Sequence, residues 1–90
     1  MRTTRLKIAG QVQGVSFRKF LKDEADKIGI KGHVRNLDSG EVEVIAEGSP
    51  EEVEKMITIC KKGNQFTSIK NIDLQDMNHI GFDDFKILNI

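Results

Sequence analysis

Two short stretches carry the residue types that could do chemistry. In Gly10-Gln11-Val12-Gln13-Gly14-Val15-Ser16-Phe17-Arg18 a glycine stands at each end of a loop, an arginine follows at the start of a helical pattern, and no acidic residue intervenes. Glycines let the chain turn tightly and aim successive N–H groups at a ligand. A helix start adds unpaired N–H donors and the positive end of the dipole. The backbone of Gln13, Gly14, Val15, Ser16, Phe17 and Arg18 is therefore a candidate seat for an anion, with the Arg18 guanidinium able to grip two oxygens. The second stretch, Gly32-His33-Val34-Arg35-Asn36, ends on an amide that donates and accepts at once and so can hold a neutral water. Plainer readings stand beside both. A strand–glycine–helix junction near an arginine is common, and Asn36 can simply stabilise the following turn. The glycine spacing fits neither the dinucleotide fingerprint nor the GxxxxGK[ST] phosphate loop, which disfavours a nucleotide triphosphatase.

The elements that must position these groups follow from periodicity. Leu6 and Ile8 alternate with Arg5 and Lys7, predicting a strand over Thr4–Gln11. Phe17, Phe20, Leu21 and Ile28 fall at helical spacing, predicting a helix over 17–28 that ends at Gly29, with Ser16 as N-cap. Phe17 and Phe20 read as core rather than as a ligand platform. Ile30–Asn36 and Glu41–Glu47 read as two strands joined by the hairpin turn Leu37-Asp38-Ser39-Gly40. Pairing Leu37 with Glu41 sets Val34 against Val44, Asn36 against Val42 and Arg35 against Glu43. Arg35 is then a solvated cross-strand partner rather than a ligand group.

Ser49-Pro50-Glu51-Glu52 is a helix start with a capping box. Val53, Met56, Ile57 and Cys60 form its apolar stripe, and Gly63 ends it. Ile69, Ile72 and Leu74 support a fourth strand between Thr67 and Gln75; 76–81 reads as a loop, and Phe85 and Ile87 mark a last strand. The order strand, helix, strand, strand, helix, strand, with a short terminal strand, predicts an α+β ferredoxin-like sandwich: one antiparallel sheet with both helices on one face. In that topology the first two strands are parallel with the third between them. The loop at 13–18 and the Asn36 amide then border one cleft.

Ninety residues make one domain, spanning 1–90, with a single core. Fourteen basic and fourteen acidic side chains leave no net charge, which disfavours a non-specific nucleic-acid or anionic-membrane binder. Anion specificity must come from local geometry. One cysteine, Cys60, suits a reducing compartment and reads as a buried core residue. The N-terminus shows no signal-peptide pattern, and no apolar run reaches membrane-spanning length, so the expected location is the cytoplasm. His33, His79 and Cys60 have no metal-ligand spacing, so no metal or other cofactor is expected.

The GQVQGVSFR stretch resembles the GxVQGVxFR motif of the acylphosphatases, and GHVRN followed by Asp38-Ser39-Gly40-Glu41-Val42-Glu43 resembles their GxVRN…GxVE motif. The likeness runs on through Glu47-Gly48, Phe66-Thr67-Ser68-Ile69 and Phe85-Lys86-Ile87, nearly the whole chain. It implies hydrolysis of acyl phosphates to a carboxylate and inorganic phosphate, with Arg18 as the phosphate-binding catalytic arginine and Asn36 orienting the attacking water. It also implies a small-molecule acyl phosphate as partner, and inorganic phosphate as product and inhibitor. Three departures stand out. His33 replaces a usual aromatic residue, Ser16 a usual glycine, and Asn64-Gln65 a common Pro-Pro pair.

Carboxylate is a good leaving group, so the reaction needs no strong general acid. Water can attack phosphorus in line while the backbone amides and guanidinium hold the phosphoryl oxygens. Ser16 is the only hydroxyl in the loop and has no histidine partner nearby in sequence, which argues against a phosphoenzyme. The alternatives are a non-catalytic module sensing phosphate ligands, a domain handling carbamoyl phosphate within a larger maturation protein, and an RNA-binding sheet. RNA binding wants aromatics on the central strands, and neither carries one. The length favours a stand-alone enzyme, and nothing in the sequence demands more than a monomer.

Overall fold

The computed structural model describes residues 1–88. Its elements are β1 (Arg2–Gln11), α1 (Val15–Ile28), β2 (Lys31–Asn36), β3 (Val42–Gly48), α2 (Pro50–Lys62), β4 (Ser68–Met77) and β5 (Phe85–Leu88). The sheet order is β4-β1-β3-β2-β5. β3 pairs antiparallel with both β1 and β2, so β1 and β2 run in the same direction. Leu6, Ile8, Val34, Val42, Val44 and Ala46 form one face of the sheet, and they share a single buried cluster with Phe17, Leu21 and Ala25 of α1 and Val53, Met56, Ile57 and Cys60 of α2. Both helices thus cover the same face, giving the ferredoxin-like sandwich.

The expected hairpin register holds at every position: Val34 opposes Val44, Arg35 opposes Glu43 and Asn36 opposes Val42. The Leu37 N–H donates to the Glu41 carbonyl at 2.8 Å, and Gly40 closes the turn at φ 94°. α2 begins as expected. The Ser49 side chain accepts from the Glu52 N–H, and the Glu52 carboxylate accepts from the Ser49 N–H.

Three expectations need correction. α1 starts at Val15, not Phe17; its N-cap is Gly14, and Ser16 lies inside the first turn without capping it. The sheet is mixed rather than wholly antiparallel, because β5 pairs parallel with β2 at the edge. Finally, β4 continues through Asp76 and Met77, where a loop was expected. Asp76 is held there by Thr4 Oγ1 at 2.9 Å and Arg2 Nε at 3.3 Å. β4 was hard to read because a register shift against Ala9/Gly10 adds one residue, so the period of two breaks between Ile69 and Ile72. Gly10 permits this bulge: a Cβ there would lie 2.1 Å from the Ser68 carbonyl oxygen.

Two glutamates of β3 are buried on the face away from the helices. Glu43 accepts from Arg5 Nε and Arg35 Nε, each at 2.7 Å, and lies 2.9 Å from His33 Nε2. Arg35 therefore has its expected partner and stays partly exposed, while Glu43 itself is only 3% exposed. Glu47 accepts from Thr3 Oγ1 at 2.6 Å and from the N–H groups of Ile80, Gly81 and Phe82 at 2.8, 2.9 and 3.0 Å. That carboxylate holds the connection by which the chain crosses from β4 at one edge to β5 at the other.

Burial alone would raise both carboxyls, but their hydrogen bonds outweigh it and hold each at about 2, below the ordinary 4.5. The folded state binds these protons less readily than the unfolded chain does. The stability they contribute is therefore present above about pH 4.5 and is lost as pH falls toward about 2. Thermal unfolding followed between these limits is expected to show a steadily falling midpoint on acidification. Glu47→Gln is expected to flatten that dependence and to lower stability at pH 7 by about 1.5–3 kcal/mol.

Candidate functional site

The two helix starts are built in opposite ways. α2 satisfies its own first N–H groups through Ser49 and carries Glu51 and Glu52 in its first turn. α1 has no side-chain cap and no acidic residue in its first turn. Its leading N–H groups and dipole are left to whatever occupies the space before them. Gly14 makes this possible. Its φ of 133° and ψ of 157° lie in a region that side chains beyond glycine scarcely enter. Nothing lies within 4 Å of where its Cβ would be, so the constraint is the backbone conformation itself.

The six candidate loop residues do different things. Val12, just before them, is buried and anchors the loop in the core. Gln13 sends its Nε2 to the Leu37 carbonyl at 3.0 Å and the Glu41 carbonyl at 3.4 Å, tying the loop to the β2–β3 hairpin. Gly14, Val15 and Ser16 are exposed, so their N–H groups stand at an open surface. Phe17 turns its side chain into the core and stacks on Phe20 with ring centroids 6.4 Å apart, as expected of a core pair. Arg18, half-buried, follows on the same helix.

Asn36 is the last residue of β2, one residue before the carbonyl that Gln13 reaches. It opposes Val42, whose side chain is in the helix-side core, so Asn36 belongs to the helix-covered face. Its Oδ1 is buried without a hydrogen-bond partner among the described residues. A buried amide oxygen left unpaired costs free energy, and water or ligand at this edge would relieve it. The loop and the strand end are thus brought together as expected, through a side chain that sequence reading treated only as backbone. The signal for Gln13 was its place between two glycines, but its partners are carbonyls of a distant hairpin and carry no sequence signature.

The other chemically capable groups lie elsewhere. His33 sits on the opposite face with Glu43, as expected, and its ring meets Phe82 edge-on at 5.8 Å. His79, in the loop after β4, lies 3.2 Å from Glu47. Cys60 is fully buried, and burial pushes its thiol up to about 12, so it is no ready nucleophile. Among the described residues no three His, Cys, Asp or Glu side chains converge to hold a metal ion.

These features define a small ferredoxin-like α/β protein with an uncapped, acid-free start of α1 and a buried, unpartnered amide oxygen at the end of β2. The acylphosphatase family model matches residues 4–87. The acylphosphatase of Lactiplantibacillus plantarum is 38% identical over 90 residues, covering 99% of this chain and 100% of that one. The crystal structure of acylphosphatase from Bacillus subtilis superposes with a TM-score of 0.93 at 34% identity, covering 99% of this chain and 100% of that one. Full-length HypF, solved in a phosphate- and nucleotide-bound form, contains a similar region (TM-score 0.90, 31% identity); the match covers 98% of this chain and 12% of that one. The chain belongs to the acylphosphatase family.

The Gln13 clamp can be tested directly. Gln13→Ala is expected to cost only about 0.5–1.5 kcal/mol of global stability. Hydrogen exchange should nevertheless quicken together in the loop after β1 and in the β2–β3 hairpin, with α2 unaffected. Faster exchange in the loop alone would mean that the two segments are not coupled through this side chain.

Proposed function

We propose that this protein hydrolyses acyl phosphates, R–CO–O–PO₃²⁻, to a carboxylate and inorganic phosphate. The observation that carries the reading is the uncapped, acid-free start of α1, clamped by Gln13 beside the unpartnered Asn36 amide oxygen. The phosphoryl group sits on the N–H groups of Gln13 to Arg18, and the Arg18 guanidinium takes two of its oxygens. These donors are fixed before substrate arrives, so they stabilise the charge that builds on the equatorial oxygens without having to reorganise.

Asn36 Oδ1 accepts a hydrogen bond from water and aims its lone pair at phosphorus, opposite the leaving carboxylate. As the P–O bond to water forms, the bond to the acyl oxygen breaks and its electron pair leaves on the carboxylate. The water proton passes to a phosphoryl oxygen, so no protein base is needed. The chain acts as a single 1–90 domain, as a monomer and in the cytoplasm. Supporting this are a free, buried Cys60 and the lack, among the described residues, of a helix long and apolar enough to cross a membrane.

The test is hydrolysis of benzoyl phosphate without added metal. The wild type is expected to turn over and to be inhibited competitively by inorganic phosphate. Arg18→Ala is expected to lose about a thousandfold or more in kcat/KM and to weaken phosphate inhibition. Asn36→Ala is expected to lose about a hundredfold or more in kcat while phosphate still inhibits. A folded wild type that binds phosphate without turnover would replace the hydrolase with a phosphate-sensing module.

A further inference from the structure

Two of the departures noted in the sequence, Ser16 and Asn64, meet in the structure. The Asn64 Nδ2 donates to Ser16 Oγ at 3.3 Å, and the Asn64 Oδ1 accepts the Phe66 N–H at 3.0 Å. The Asn64 N–H donates to Thr67 Oγ1 at 2.9 Å, and that hydroxyl donates back to the Asn64 carbonyl at 3.0 Å. One carboxamide therefore joins the first turn of α1 to a closed turn over 64–67. That turn carries Phe66 with 70% of its surface exposed, and Val15, next to Ser16, is 76% exposed.

Other large apolar side chains are exposed, but not here. Leu74 is opposite Leu6 in mid-sheet, and Met77 is opposite Thr3, toward the far end of β1. The Asn64–Ser16 hydrogen bond ties the turn that carries Phe66 to the first turn of α1, where Val15 is also exposed. An open groove lined by Gly10, Gln11, Ser68, Ile69 and Lys70 continues from the same segment and leaves room for a substituent. A phosphate seat made of backbone N–H groups recognises only the phosphoryl end of its substrate. The acyl end must project past the rim, where a water-exposed aromatic ring gains by stacking on another apolar group.

We propose that Phe66, set in place by Asn64, is the acyl-side subsite, and that it favours acyl phosphates with aromatic acyl groups over acetyl phosphate. This rests on the hydrolase reading above. Phe66 touches the acyl group; Asn64 is a positioning residue, acting through the turn that it ties to Ser16.

The test compares kcat/KM for benzoyl and acetyl phosphate in the wild type, Phe66→Ala, Phe66→Tyr, Asn64→Ala and the double alanine variant. The benzoyl-to-acetyl ratio is expected to fall about threefold to tenfold in Phe66→Ala and to be restored in Phe66→Tyr. It should fall less in Asn64→Ala, with no further fall when Asn64→Ala is added to Phe66→Ala. Calorimetric binding of phenacylphosphonate and acetonylphosphonate, in which a methylene replaces the scissile oxygen, reads the same preference without turnover. If the wild type hydrolyses neither substrate yet prefers phenacylphosphonate through Phe66, the hydrolase reading fails and the subsite stands. An equal ratio in wild type and Phe66→Ala overturns the subsite. So does a loss of inorganic phosphate binding as large as the loss of phenacylphosphonate, because phosphate has no acyl group.

Discussion

β3 lies between β1 and β2 and pairs antiparallel with both, and the candidate site depends on this arrangement. With β3 inserted, β1 and β2 point the same way and end at the same edge of the sheet. The loop leaving β1 and the amide ending β2 become neighbours, although more than twenty residues separate them in sequence. The Gln13 hydrogen bonds to the Leu37 and Glu41 carbonyls close the remaining gap. A slip of one residue in the β2–β3 hairpin would move Asn36 from the helix-side face to the other face. The apolar pair Val34–Val44 on that face, with Arg35–Glu43 on the other, holds the register.

The two helices divide stability and chemistry between them. α2 closes its own start with Ser49, Glu51 and Glu52 and ends on Lys61 and Lys62, which complement its dipole. Nothing is left over for a ligand. α1 forgoes all of this at its start, and Gly14 adopts a conformation that only glycine takes comfortably. A glycine N-cap in place of a capping side chain costs only about a few tenths of a kcal/mol in an ordinary helix. The buried stripe of Phe17, Leu21 and Ala25 stabilises the helix without a side-chain cap.

The face of the sheet away from the helices is held by charge. Glu43 gathers Arg5, Arg35 and His33, and Glu47 catches three consecutive N–H groups of the crossing loop. A carboxylate buried to 3% exposure is tolerated only with several donors on it, and both have them. These interactions set the path of the chain to β5 and lie outside the candidate site. They stabilise the scaffold from the face of the sheet that Asn36 does not share.

By itself the sequence determined the elements, the hairpin register, the capping of α2 and the identity of the candidate groups. These rest on local rules: apolar periods of 2 and 3.6, turn glycines, a proline at a helix start, and two short motifs. Arg18 and Asn36 were legible as residues, and the approach of the loop after β1 to the end of β2 followed from strand order. Tertiary structure alone decided the parallel seat of β5, the bulge that disguises β4, the start of α1 at Val15, and the partners of Gln13, Glu47 and Asn64. Each of these depends on which distant donor or carbonyl comes within about 3 Å of a polar group, and hydrogen bonds at that range leave no period or spacing in the chain. A glutamine between two glycines looks the same whether it faces solvent or pins the loop to a hairpin, and only the folded sheet settles which.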